Sequence, residues 1–135
     1  MNQYQEARFV SSIVSVMFNT VAGKRIALLG TAFKANTSDV RQSPAMAVCR
    51  GLLEERAEVV LCDPHALASA RADLGPEAGR VIFEPDPYVA AKDAHAVAIL
   101  TEWSCFAGLD YEAIYAGMVH PAFLFDGRNL LDRRA

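Results

Sequence analysis

The chain of 135 residues is short of the features that announce many function classes. It has 3 cysteines, Cys49, Cys62 and Cys105, far apart, with no C-x-x-C and no histidine at ligand spacing. That argues against a disulfide framework and against a zinc site. The thiols read as reduced, filling apolar stretches as small hydrophobes. His65, His95 and His120 are equally dispersed, and no metal is expected. Nor is there an excess of positive charge: 13 Lys plus Arg stand against 16 Asp plus Glu, for a net charge of -3. Partners such as nucleic acid or an anionic membrane surface need clustered cations, so neither is expected. No apolar run approaches the roughly 20 residues of a membrane span, and the N-terminus lacks the pattern of a secretory signal. A soluble, cytoplasmic protein is the expectation.

What is present is a core. With 53% hydrophobic and 21% charged residues, the composition is that of one globular domain, and a chain of this length buries roughly two thirds of the surface that its unfolded form exposes. Val10, Ile13, Val14, Met17 and Val21 fall on one face of a helix over 4–21, with Gly23 as its stop, and Phe9 and Val16 lie off that stripe. Residues 25–29 (RIALL) read as a buried strand. A polar loop then runs to Ser43 and Pro44, which suit an N-cap and a first helical position. Ala45, Val48, Cys49, Leu52 and Leu53 form the apolar face of the helix that follows.

The unit repeats. A strand over 58–62 meets an Asp63-Pro64 turn, a weakly helical segment over 65–74 is broken at Gly75-Pro76, and 81–83 is a short strand. Asp86-Pro87 opens a helical turn, 95–100 (HAVAIL) is a buried strand, Asp110 caps a helix to Met118, and 122–125 (AFLF) is the last strand. Strands alternating with helices predict an α/β, Rossmann-like three-layer domain with a mostly parallel sheet, preceded by part of a long helix. Ligands of such sheets bind beyond the carboxyl ends of the strands, so the loops of interest begin at Gly30, Asp63, Thr101 and Asp126.

The first of these loops is not a dinucleotide fingerprint. G-x-G-x-x-G needs glycines where Ala32 and Ala35 stand. Asp63 occupies the place of a ribose-binding acid, but without the glycines the Asp-Pro turn is the better reading. What the loop does hold is Lys34 and Arg41, and the final loop presents Arg128 after Asp126-Gly127. Lys offers a compact charge and Arg a fixed fork suited to phosphate or carboxylate. On the residues alone these cations serve equally as solvated loop charges or as an anion site. Trp103 reads as packing, with ring stacking the alternative. No P-loop, no nucleophile elbow and no H-E-x-x-H occurs.

The ordered series Gly30-Thr31-Ala32-Phe33-Lys34, Asp39-Val40-Arg41-Gln42-Ser43-Pro44-Ala45, Asp63-Pro64, Thr101-Glu102-Trp103 and Phe125-Asp126-Gly127-Arg128 resembles the C-terminal domain of the UDP-glucose/GDP-mannose dehydrogenase family. The segments around Trp103 and Arg128 are most like its UDP-glucose 6-dehydrogenases. The resemblance implies a UDP-sugar-binding domain, residues 24–135, with residues 1–23 as the end of a central linking helix. It implies that Phe33, Lys34 and Arg128 bind the substrate, and that Arg41 reaches NAD held by another part of the enzyme. It also implies that the catalytic Cys and the NAD-binding domain lie in absent N-terminal and central parts, so that this fragment is inactive alone while the full enzyme is a homo-oligomer acting on UDP-glucose or a related UDP-sugar. Gln42 departs from the family's usual Glu, and Cys62 from a frequent Tyr. The competing expectation is a stand-alone remnant or interaction module on the same scaffold.

Overall fold

The computed structural model describes residues 3–30, 44–63, 66–100, 108–119 and 122–126. In chain order the elements are α1 (Gln3–Val16), β1 (Arg25–Leu29), α2 (Pro44–Glu54), β2 (Glu58–Cys62), α3 (Leu67–Leu74) running into a 3-10 helix (Gly75–Arg80), β3 (Val81–Phe83), α4 (Pro87–Ala91), β4 (Ala96–Ile99), α5 (Tyr111–Gly117) and β5 (Phe123–Asp126). The strands form one sheet in the order β3-β2-β1-β4-β5, and every pairing among them is parallel. The expected α/β, Rossmann-like architecture is therefore present.

After the Arg25 and Glu58 that open β1 and β2, the central strands are apolar because both faces of the sheet are covered. Ile26, Leu28, Val59, Leu61, Ala96 and Ala98 pack on one side with α1, α2 and α3. Ala27, Leu29, Val60, Cys62, Val97 and Ile99 pack on the other with α4 and α5. The expected apolar face of α2 is buried at all five positions, Ala45, Val48, Cys49, Leu52 and Leu53. The helices after β1 and β2 thus lie on the first face, and those after β3 and β4 on the second. The chain changes face when it returns from the β3 edge to β4, beside β1.

Local chemistry sets the helix ends. Asp86 accepts the Tyr88 amide through Oδ1 at 2.9 Å, and Asp110 accepts that of Ala113 at 3.2 Å, each cap being worth about 1 kcal/mol. The Leu53 carbonyl, near the end of α2, accepts both the Arg56 amide at 3.0 Å and the Arg80 guanidinium at 2.8 Å. Arg50 joins α2 to α3 through Asp73, 2.9 Å away.

One expectation is corrected. The opening helix does not run to Gly23: α1 ends at Val16, and Phe18 and Asn19 both take left-handed backbone, with φ of 65° and 64°. Tertiary contacts hold that stop. The Phe18 ring meets Phe123 edge-on at 6.1 Å, and the Lys24 ammonium lies over it and donates to the Met17 carbonyl at 2.7 Å. Gly23, with φ of 74°, instead shapes the turn into β1. Gly75-Pro76 does end the third helical segment as expected: α3 stops at Leu74 with Gly75 as its C-cap, although a separate 3-10 helix follows. Gly75 takes φ of 60°, and the 3-10 helix runs to Arg80 with Ala78 buried.

Candidate functional site

The strand register brings the carboxyl ends abreast. Leu29 pairs with Cys62 and with Ile99, and Ile99 pairs with Asp126. One step further, the Gly30 amide donates to the Cys62 carbonyl at 2.6 Å and the Leu100 amide to the Leu29 carbonyl at 2.9 Å. The exits of β1, β2, β4 and β5 therefore share one edge. Because β1 leads to β2 by way of the first face and β4 leads to β5 by way of the second, the connections diverge between β1 and β4. That is the switch point at which open parallel sheets bind ligands.

The candidate residues belong to the stretches that leave this edge. Phe33, Lys34 and Arg41 follow Gly30, Trp103 follows Leu100, and Arg128 follows Asp126. All five, with Cys105, lie outside the described residues. What is described is the frame from which they start. Gly30 and Asp126 are separated by two strand spacings, about 10 Å, so the first and last cationic stretches start close together although nearly 100 residues separate them in the chain. Gly30 is buried with φ of 98°, a conformation that a side chain would strain.

The frame contains one buried charged side chain among the described residues. Asp63, at the exit of β2, is 1% exposed, and its Oδ1 accepts the Ala66 amide at 2.7 Å. This is the turn-stabilising role that the Asp-Pro pair suggests. Its burial is a feature that the sequence reading missed, and the available signal was an acid directly abutting a fully apolar strand.

The other chemically active groups among the described residues are inert or remote. The Cys49 thiol is fully buried and its pKa is pushed up to about 12, chiefly by burial, with Arg50 pulling it down and Glu77 adding to the rise. Such a thiol supplies no thiolate at neutral pH. Cys62 is buried as well, its sulfur 3.6 Å from the Pro85 carbonyl. Among the described residues no three His, Cys, Asp or Glu side chains gather to hold a metal, and no helix is long and apolar enough to cross a membrane. A groove of about 440 Å³ between α1 and α2, lined by Val10, Arg50, Gly51, Glu54 and Glu55 among others, carries charges of both signs.

The residues of this chain do not fit a whole NAD. Gly30 has the burial and the positive φ of a first fingerprint glycine. The two glycines that would let the pyrophosphate approach the backbone are replaced by Ala32 and Ala35.

Comparison with known proteins agrees with this frame. Residues 27–133 match the model of the UDP-glucose/GDP-mannose dehydrogenase family, UDP binding domain. UDP-glucose 6-dehydrogenase 1 of Oryza sativa subsp. japonica is 47% identical over 150 aligned positions, covering 98% of this chain and 31% of the relative. UDP-glucose 6-dehydrogenase 4 of Arabidopsis thaliana is 43% identical with the same coverage. Among solved structures, a UDP-glucose dehydrogenase from the hyperthermophilic archaeon Pyrobaculum islandicum superposes with a TM-score of 0.77 at 31% identity, over 96% of this chain and 28% of that one. The chain thus spans about 31% of the length of the curated relatives it matches.

Proposed function

The chain belongs to the UDP-glucose/GDP-mannose dehydrogenase family, in which it corresponds to the UDP binding domain, and from that premise we propose that it binds the uridine diphosphate part of a nucleotide sugar at the carboxyl edge of its sheet. The observation that carries this reading is the coincidence of the family match over 27–133 with a switch-point edge from which Lys34 and Arg128 both depart. Lys34 and Arg128 neutralise the diphosphate, and Phe33 contacts the nucleotide sugar. Arg41 reaches toward NAD held by another part of the enzyme.

In the whole enzyme the substrate is UDP-glucose, oxidised at C6 to UDP-glucuronate by two hydride transfers to two NAD. Catalytic groups for that chemistry belong to other parts, and the opening segment, residues 1–23 with α1 at Gln3–Val16, links this domain to them. The share of this domain is recognition: binding energy from the remote nucleotide orients the reacting sugar. By itself the domain does not oxidise the sugar and binds UDP weakly.

Titration of the chain with UDP, followed by amide NMR, tests the reading. Shifts are expected at 30–41 and 125–129. Lys34→Ala and Arg128→Ala are each expected to weaken UDP tenfold to a hundredfold, about 1.5 to 3 kcal/mol, the range for hydrogen bonds to charged groups. A spectrum unchanged by millimolar UDP refutes it, and leaves the stand-alone module as the account of the scaffold.

A further inference from the structure

At the amino end of the sheet, opposite the candidate site, a backbone amide is bonded to an ionisable ring. Arg25 opens β1, and the half-buried His95 stands just before β4, the strand beside it. The two residues bond twice. The His95 amide donates to the Arg25 carbonyl at 2.7 Å, and the Arg25 amide donates to Nδ1 of the His95 ring at 3.0 Å. The imidazole thus takes the acceptor role that strand carbonyls have elsewhere in the ladder. Nδ1 accepts only while it carries no proton, so the contact requires a neutral ring with its hydrogen on Nε2. The surroundings offer nothing that favours the cation. The charged groups of the elements that meet here are Lys24 and Arg25 at the start of β1, Glu58 at the start of β2, and Lys92 and Asp93 between α4 and β4. The Arg25 guanidinium and Glu58 pair with each other, and the Lys24 ammonium donates to the Met17 carbonyl. From β5 comes the Phe123 amide, bonded to the His95 carbonyl, and from the end of α5 the Val119 amide, bonded to the Ala94 carbonyl. His120 lies outside the described residues. Among the described residues no carboxylate pairs with the His95 ring.

We infer that the His95 ring is a pH-sensitive latch on the start of β1. A proton taken from solvent at Nδ1 turns the acceptor into a donor aimed at the Arg25 N–H, so the ring turns away and the amide loses its partner. The segment released is the one that joins α1 to the sheet, since Lys24, next to Arg25, reaches back to Met17 just after α1. The form that the contact needs is the neutral one. The stability it supplies is therefore present above the ordinary imidazole range and lost as the pH falls through it. His95→Asn keeps an oxygen near the place of Nδ1 and does not titrate. In urea, the unfolding constant of the parent is expected to rise about threefold to tenfold more than that of His95→Asn between about pH 7.5 and 5.5. The comparison cancels His65 and His120, which both chains keep. Nitrogen-15 NMR of the parent at neutral pH is expected to place the ring proton on Nε2, and the Arg25 amide is expected to lose protection against exchange on acidification. The same pH dependence in both chains overturns the inference, and so does a neutral ring with its proton on Nδ1. That last reading is made on the parent alone, so it decides the matter even where His95→Asn does not fold.

Discussion

The two faces of the sheet differ most over β4. On the first, large residues from the helical side, Ile13 from α1, Met17 just after it, and Met46, Leu52 and Leu53 from α2, pack with the small Ala96 and Ala98 of β4 and with Ile26, Leu28, Val59 and Leu61. On the second, Leu29, Val60, Val97 and Ile99 pack with the small Ala90 and Ala91 of α4 and with Ile114 of α5 and Met118. Strand alternation forces this complementarity, since the residues that point up and down along β4 are Ala and Val/Ile in turn. Among the described residues, only the first face has a helix beyond the strand-to-strand connections. There α1 covers the β4–β5 half, Phe9 meeting Phe125 and Phe18 meeting Phe123 edge-on. On the second face Val89, Tyr115 and Leu124 remain exposed. A short layer of alanines lets α4 sit close to β1 and β2, whereas the large side chains of α2 make the first face the main apolar anchor.

Three measurements sharpen that contrast. Leu52→Ala, at a fully buried site of the first face, is expected to cost about 2 to 5 kcal/mol in urea unfolding, the range for a cavity in a close-packed core. A loss below about 1 kcal/mol would show that this face collapses around the gap and is no anchor. Ala90→Leu tests the second face, where a buried alanine leaves no room. Overpacking there is expected to cost about 1 to 3 kcal/mol, and a stabilised variant would mean that the alanine layer is underfilled.

The third effect is chemical and confined to alkaline pH. Cys49 on the first face has its thiol pushed up to about 12 from 9.0, so native and unfolded chains both hold the proton below pH 9. Between pH 9 and 12 the unfolded chain releases it and the native chain does not, and stability falls by about 1.4 kcal/mol per pH unit through this group. Subtracting the alkaline unfolding profile of Cys49→Ala from that of the parent is expected to isolate that slope. A flat difference would show that water reaches the thiol.

Much of the fold was legible along the chain. The buried strands at 25–29 and 58–62, the short strand at 81–83 and the caps at Asp86 and Asp110 stand where the residues place them, because apolar runs and N-cap chemistry act over a few neighbours. The end of α1 was not legible. Its stop uses Phe18 in a left-handed conformation, stabilised by Phe123 from the opposite end of the chain and by Lys24. The 3-10 continuation past Gly75 was equally hidden, since a Gly-Pro pair signals an interruption without saying whether the chain then leaves the helical path. For the site, the sequence identified the cationic stretches after β1 and β5 and their family resemblance, while the enclosure of Asp63 had a single signal, an acid directly following the apolar end of β2.

By itself, then, the amino-acid sequence determined the alternation of strand and helix, the parallel sheet that alternation entails, and the family to which the chain belongs. These follow from short-range patterning and from ordered motifs. The tertiary structure decided which side of each apolar strand meets which helices, a choice that a strand buried on both faces does not encode in its own pattern. It decided as well that Gly30, Asp63, Leu100 and Asp126 meet at one edge, because parallel register is set by packing across the sheet and not by any neighbour in the chain.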